Sequence, residues 1–181
     1  MSEATDERTA RDRISFLRTL RAVRSFRSDP VPQEIVDDIL EVARWSGSAS
    51  NKQPWEMILI RDRDTLRSLA SFDGYIGYLA GAPLGIVLAM AGDRAELETY
   101  DEGRLAERIM LAAHAHGVGS GIGWLRGPGR DAAKDLLGIP HHKVVRTVIS
   151  LGYPDEPRRS RTGRGPARKS LGEIVYEERY A

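Results

Sequence analysis

Two arginines, Arg21 and Arg24, stand three residues apart near the start of the chain. The apolar residues before them recur at helical spacing, which predicts a helix over residues 12–24 that carries both arginines on its last turn. Two guanidinium groups at this spacing can bind one phosphate through several charge-assisted hydrogen bonds. Solvated arginines are also favoured at a helix C-terminus, so the pair alone leaves both interpretations open.

A polar loop, SASNKQPW, covers residues 48–55 and leads into an apolar run that predicts a buried strand. The side-chain amides of Asn51 and Gln53 both donate and accept hydrogen bonds, as the edge of a heteroaromatic ring requires. Pro54 keeps the residue before it extended. A simple turn is the alternative, although Gly or Asp would serve a turn as well as these residues do.

A glycine-dense segment, GVGSGIGWLRG, spans residues 117–127 and predicts a short strand with close backbone approaches. Glycines without Cβ let backbone N–H groups lie against a flat ligand, and a tightly packed strand end is the alternative. The GxGxxG pattern of dinucleotide-binding folds is not completed, because Ile122, Trp124 or Arg126 occupies the required position.

A basic run without any acidic residue covers residues 158–169 near the C-terminus. Its members are Arg158, Arg159, Arg161, Arg164, Arg168 and Lys169. Such a run attracts nucleic acid, but the absence of interleaved aromatic residues weakens single-strand binding as an interpretation. A solvated linker is the alternative.

Residue types exclude several other chemistries. The chain has no cysteine, which excludes thiol nucleophiles, iron–sulfur clusters, Cys-ligated zinc and disulfides. Ser120 has glycine on both sides but not two residues before and after it, so there is no nucleophile elbow, and the histidines do not have the spacing of metal ligands. The 27 basic and 26 acidic residues give a net charge of +1, so charge indicates neither nucleic acid nor a membrane surface. The charged N-terminus lacks the apolar core of a secretory signal, and we expect a cytoplasmic protein without a membrane span.

The length of 181 residues fits one domain. Further helices are predicted at 33–46, 62–72, 98–116 and 128–137, and strands at 55–61, 84–90, 117–125 and 144–151. Residues 1–13 are interpreted as a charged tail, 14–153 as the domain, and 154–181 as an extended basic arm of the same domain. Ser170 and Glu173 stand at capping-box spacing before a short terminal helix. Helices between most strands predict an α/β or α+β fold with helices covering a central sheet.

Taken in order, these segments resemble the flavin-dependent nitroreductase family over roughly residues 14–177. The opening RAVRSFRSDPVPQEIVDDILEVARWSGSASNKQPW is similar to the family's N-terminal block, with its basic pair and its SxxNxQPW loop. The piece DEGRLAERIMLAAHAHGVGSGIGW resembles the family's long helix and glycine strand. The closing RKSLGEIVY is similar to the family's last block, except that Ser170 replaces proline and Gly172 replaces an acidic residue.

The resemblance implies an α+β sandwich around a mixed, mostly antiparallel sheet, and a homodimer that binds FMN at its interface. It implies that NAD(P)H passes two electrons to nitroaromatic, quinone or similar small acceptors, with the chemistry carried by the flavin and no catalytic side chain, metal ion or nucleic acid. Because the chain has no second dinucleotide fold, donor and acceptor would use one flavin face in turn, by a ping-pong mechanism. The residues that the resemblance assigns to FMN are Arg21, Ala22, Arg24, Arg168 and Lys169 around the phosphate, Ser48, Asn51 and Gln53 along the ribityl chain and ring edge, and the backbone of Gly123, Trp124 and Leu125 against the ring.

One segment departs from the family pattern. Residues 72–83 are short where many relatives carry a longer excursion over the open flavin face. Other chemistries of the same fold therefore stay open, namely flavin fragmentation, reductive dehalogenation and azoline oxidation. A binding protein that uses its Arg-rich tail is the alternative from another class.

Overall fold

The computed structural model describes residues 2–155 and 168–180. Its helices are α1 (Ser2–Thr19), α2 (Gln33–Arg44), α3 (Arg63–Ala70), α4 (Ala95–Ala115) and α5 (Pro128–Leu137). Its strands are β1 (Trp55–Ile60), β2 (Gly74–Tyr75), β3 (Leu84–Met90), β4 (Gly119–Leu125) and β5 (Val144–Gly152). Short 3-10 turns cover Ala49–Asn51, Gly77–Gly81 and Leu171–Glu173. In these described residues no helix is both long and apolar enough to cross a bilayer.

The five strands form one sheet in the order β1-β3-β5-β4-β2, and each strand runs antiparallel to its neighbours. A parallel bridge between Ala22 and Ser120 adds a short contact at the edge of β4. The expected α+β sandwich with a mostly antiparallel sheet is confirmed. The order also places β1 at one edge, with β3 and β5 between it and β4.

Each face of the sheet is covered by its own set of helices. On one face, Ile86 and Leu88 of β3 pack in a core with residues of α2 and α4. On the other face, the alternate residues Val87 and Ala89 pack with residues of α3 and α5. All seven residues of β3 are buried, because this strand has helices on both sides.

Helix α1 differs from its prediction at both ends. It begins at Ser2 and ends at Thr19, so residues 2–11 are helical as well, and the expected helix span 12–24 is wrong. The first turns are rich in Ala, Glu and Arg, which form helix without needing an apolar face. At the other end, the N–H of Val23 donates to the carbonyl of Ser120 at 2.7 Å, so pairing with β4 takes this segment out of the helix. Arg21 and Arg24 therefore follow α1 instead of lying on its last turn.

Residues 72–83 contain structure that periodicity did not predict. Gly74 and Tyr75 pair with Leu125 and Trp124 as the edge strand β2. The following turn, Gly77–Gly81, buries Leu79 completely in the core. Two residues are too few to show a strand period, so only the pairing with β4 reveals this element.

The C-terminal segment begins as predicted. The carboxylate of Glu173 accepts hydrogen bonds from the N–H and the hydroxyl of Ser170, each at 2.8 Å, which confirms the capping interaction. The division into tail, domain and arm stays a prediction. Of the basic run, Arg168 and Lys169 are described, whereas the extended arm with Arg158, Arg159, Arg161 and Arg164 lies outside the described residues.

Candidate functional site

The end of α1 forms a cationic cavity with the C-terminal segment. The cavity has a volume of about 480 Å³ and is lined by Leu17, Arg18, Leu20, Arg21, Glu107 and Arg168. A guanidinium nitrogen of Arg21 donates to the carbonyls of Leu20 and Arg18, each at 2.7 Å, which fixes its position beside the helix end. Three guanidinium groups and one carboxylate, that of Glu107, surround this space, and the excess of positive charge fits a phosphate monoester. The structure thus places Arg21 and Arg168 at one cavity, together with Arg18.

The guanidinium of Arg24 lies over two tyrosine rings. Its central carbon is 5.7 Å from the ring centre of Tyr75 and 5.6 Å from that of Tyr78, within the range of cation–π attraction. Among the residues that the structure describes, the buried hydroxyl of Tyr78 has no hydrogen bond of good geometry. Burial raises the pKa of Tyr78, and the neighbouring Arg24 charge opposes that rise. Arg24 is therefore held against β2 and the following turn, at a different place from the guanidinium of Arg21.

The glycines of β4 allow close packing on one face of the strand. A Cβ on Gly121 would lie 2.5 Å from the carbonyl oxygen of Val23, and one on Gly123 would lie 2.7 Å from the Tyr78 hydroxyl. The space beside these glycines is therefore filled by protein, which favours the tightly packed strand end over a backbone opened toward a ligand on that face.

The other face of β4 is open. Ile122 and Trp124 alternate with the glycines and are 41% and 51% exposed. The side chain of Leu125 is buried in the core, so only its backbone is available to a ligand. A flat apolar ring could lie against the exposed side chains of Ile122 and Trp124. This open face is the space that the structure offers a ring near residues 123–125.

The loop at residues 48–54 is held in an uncommon conformation. Ser50, Asn51 and Gln53 have φ values of 52°, 54° and 49°, in the left-handed region that favours glycine, so the extended conformation expected before Pro54 is wrong. The N–H of Gln53 donates to the Ser48 hydroxyl at 2.8 Å. The N–H of Ala49 donates to a carboxylate oxygen of Asp101 on α4 at 3.2 Å. Asp101 is buried, although acidic residues in the middle of a helix usually face solvent, and no sequence motif marks it.

This loop and the arginines lie in different parts of a single chain. The loop enters β1, and β1 is separated from β4 by two strands, or roughly 14 Å at ~4.8 Å per strand. One chain therefore does not bring Ser48, Asn51 and Gln53 to β4. Lys169 is exposed, and Ala22 contributes a backbone bridge to Ser120.

Sequence analysis missed Arg18, Tyr75, Tyr78 and Asp101. The tyrosines lie in residues 73–82, which show no periodicity, so their closeness to Arg24 depends on pairing between β2 and β4. In the described residues no group of three His, Asp or Glu side chains has the arrangement of a metal site.

Comparison with solved structures shows the architecture of an oxidoreductase fold. An FMN-dependent nitroreductase from Clostridium difficile superposes with a TM-score of 0.81 and 26% identity, over 92% of this chain and 99% of that one. The nitroreductase family model matches residues 17–73. A chloronitrobenzene nitroreductase from Comamonas testosteroni is 39% identical in an alignment that covers 77% of this chain and 86% of that protein. An NADPH-flavin oxidoreductase from Vibrio harveyi is 27% identical in an alignment that covers 87% of this chain and 72% of that protein.

The chain belongs to the nitroreductase family. The predicted resemblance and the expectation of a nitroreductase-like oxidoreductase are confirmed.

Proposed function

We propose that this protein is a homodimeric, FMN-dependent oxidoreductase that passes two electrons from NAD(P)H to nitroaromatic, quinone or similar small acceptors. Family membership supports the general activity, and the activities of the similar proteins support FMN, the nicotinamide donor and a nitroaromatic acceptor. Bound FMN supplies the two-electron redox chemistry, and the side chains of this chain bind and orient it.

The observation that carries the proposal is the cavity shared by Arg18, Arg21 and Arg168. Its arginines come from the end of α1 and from the C-terminal segment of the chain. Stabilisation of the helix end alone would not require an arginine from so distant a segment. A phosphate dianion accepts hydrogen bonds from several guanidinium groups at once, so this set fits the FMN phosphate. Exposed Lys169 adds positive charge beside Arg168.

The ring would lie toward the open face of β4, where Ile122 and Trp124 are exposed. Arg24, which sequence analysis assigned to the phosphate, has its guanidinium over Tyr75 and Tyr78 beside β4, and we assign it to the ring end of the cofactor. A fixed positive charge there would stabilise electron density that the ring gains on reduction.

We propose that the partner subunit supplies the loop with Ser48, Asn51 and Gln53. The separation of β1 from β4 within one chain supports this, since these amides are far from the strand that they would complement. Exposed apolar side chains on several elements also support an interface between two copies. They are Ile14, Leu17, Trp45, Leu97, Tyr100, Leu171, Ile174 and Val175.

The visible spectrum of the purified protein tests this function. We expect an oxidised-flavin spectrum, release of FMN rather than FAD on denaturation, and bleaching on anaerobic addition of NADH or NADPH. Initial rates with a nitroaromatic acceptor should give the parallel lines of a ping-pong mechanism, because donor and acceptor share one flavin face.

Two outcomes would contradict the proposal at different levels. A colourless protein that also fails to take up added FMN would exclude the flavin. A yellow protein that neither nicotinamide reduces would retain the flavin and reject the proposed electron donor, leaving the other flavin chemistries of the fold.

A further inference from the structure

The loop at residues 48–53 adopts a backbone that its own residues do not favour. Three of its non-glycine residues, Ser50, Asn51 and Gln53, have positive φ values of 52°, 54° and 49°. Such conformations persist where surrounding contacts over-determine them, and they concentrate at functional sites. The contacts that hold this loop therefore decide where its polar side chains lie.

Some of these contacts are internal to the loop. The Ser48 hydroxyl accepts from the N–H of Gln53 at 2.8 Å, and the Gln53 side chain donates to the carbonyl of Asn51 at 3.2 Å. These bonds close the turn on itself. They do not fix the turn relative to the helices and the sheet.

Asp101 of α4 ties the loop to the body of the protein. Its carboxylate accepts from the N–H of Ala49 at 3.2 Å and pairs with Arg104 at 3.6 Å. The Arg104 guanidinium in turn lies against Gly47, where it fills the space that a Cβ would need. The Asp101 side chain is only 5% exposed, so this acceptor is shielded from competing water.

Glu98, one turn earlier on α4, provides an internal comparison. It is also buried, at 4% exposure, and its carboxylate accepts from the N–H groups of Gly92 at 2.8 Å and Arg94 at 3.0 Å. Both acids therefore stabilise a loop that packs on α4. Only the loop held by Asp101 carries residues that we assign to the cofactor.

We propose that Asp101 is a positioning residue for FMN: it holds the 48–53 loop in its left-handed conformation, and it contributes to cofactor affinity through that loop rather than by contact. This inference rests on the proposed function, because it takes Ser48, Asn51 and Gln53 as flavin-binding residues. The statement that Asp101 holds the loop conformation can be tested in protein without flavin.

The test compares Asp101→Ala with the matched control Glu98→Ala. Removal of a hydrogen bond to a charged acceptor corresponds to about a tenfold change in an equilibrium constant. We expect Asp101→Ala to weaken FMN binding about tenfold, measured by quenching of flavin fluorescence, and Glu98→Ala to change it less than about twofold. In the flavin-free proteins, amide exchange of residues 48–54 should accelerate in Asp101→Ala and stay unchanged in Glu98→Ala.

A second substitution tests whether the backbone conformation is the cause. Ser50→Gly removes the steric cost of the positive φ without altering a proposed flavin-binding residue. Added to Asp101→Ala, it should restore about threefold of the lost FMN affinity, since the turn then needs less support. No restoration would mean that Asp101 acts on FMN by another route.

The remaining outcomes separate the two proposals. Equal loss of FMN affinity in Asp101→Ala and Glu98→Ala would indicate general damage to α4 and overturn the positioning role. Unchanged FMN affinity in Asp101→Ala would overturn it as well. If the unsubstituted protein does not bind FMN, the proposed function fails, and unchanged exchange at residues 48–54 in Asp101→Ala would independently reject the claim about the loop.

Discussion

Arg21 and Arg168 line one cavity although they lie near opposite ends of the chain. Arg21 follows α1, whereas Arg168 precedes the capped turn at Ser170. The carboxylate of Glu107 also lines this cavity and offsets one of its three arginine charges. The remaining positive charge is what favours a bound phosphate there.

We expect Arg168→Ala to reduce the preference of the protein for FMN over riboflavin by at least tenfold. A charge-assisted hydrogen bond to phosphate is worth about 1.5–3 kcal/mol, and riboflavin lacks the phosphate that would lose it. Dissociation constants for both flavins, measured with reconstituted protein, check the expectation. An equal loss for the two ligands would remove Arg168 from the phosphate site.

Arg24→Ala should behave differently from Arg168→Ala. The Arg24 guanidinium lies 5.6 Å from the ring centre of Tyr78 and is assigned to the ring end of the cofactor. The affinities for FMN and for riboflavin should therefore fall by the same factor. A loss confined to FMN would instead assign Arg24 to the phosphate, as the sequence alone suggested.

Tyr78→Phe should leave the free energy of unfolding unchanged or raise it by up to about 1 kcal/mol. The hydroxyl is buried without a well-formed hydrogen bond, so its removal eliminates a desolvation cost and loses little. Chemical denaturation at neutral pH measures the difference. A clear destabilisation would show that the hydroxyl has a partner in solution.

The same substitution should change the dependence of stability on alkaline pH. Burial raises the pKa of Tyr78 above its ordinary value of 10.0, so the folded state keeps this proton at a pH where the unfolded state has lost it. The stability contributed by this group is complete below about pH 10 and is lost as the pH rises further. Tyr78→Phe should therefore lose stability less steeply above pH 10 than the unsubstituted protein.

Much of the fold could be predicted because the elements carry strong local signals. The apolar run at 84–90 coincides with β3, and the helix at 128–137 coincides with α5, which ends at Gly138 with a φ of 65°. The first helix was misplaced because its limits depend on pairing between Val23 and Ser120. Strand β2 was missed because two residues have no period.

The candidate site was predictable only in part, for a related reason. Arg21, Arg168 and the polar loop could be selected from their residue types and spacing. Tyr75 and Tyr78 contact Arg24, and Asp101 contacts the loop, across the fold, and no local pattern distinguishes them from ordinary surface or helix residues. The glycines at 121 and 123 were recognised, but their use in packing against Val23 and Tyr78 became visible only in three dimensions.

Gly123→Ala should destabilise the protein by about 1–3 kcal/mol, the usual cost of overpacking. The added Cβ would lie 2.7 Å from the Tyr78 hydroxyl and 2.8 Å from the carbonyl oxygen of Tyr75, and the backbone atom cannot move aside cheaply. Gly103→Ala on α4 is the matched control, since a Cβ there meets no atom within 4 Å. Alanine should stabilise that helix by about 0.5–1 kcal/mol. Similar stabilities for the two variants, in thermal unfolding of flavin-free protein, would contradict the packing role of Gly123.

Truncation after Pro157 should abolish both the dimer and stable FMN binding. The removed part contains Arg168, which lines the proposed phosphate cavity, and the exposed apolar residues Leu171, Ile174 and Val175. Among the described residues of one chain these apolar side chains are exposed, as those of a subunit interface would be before assembly. Arg168 lines the cavity of its own chain, so truncation removes a phosphate contact, whereas loss of the apolar side chains removes area from the proposed interface. Molecular mass by light scattering and bound flavin by absorbance should therefore fall together.

Arg168→Ala in the full chain is the control and should lose flavin while remaining dimeric. A truncated protein that stays dimeric with full FMN occupancy would refute both parts of the expectation.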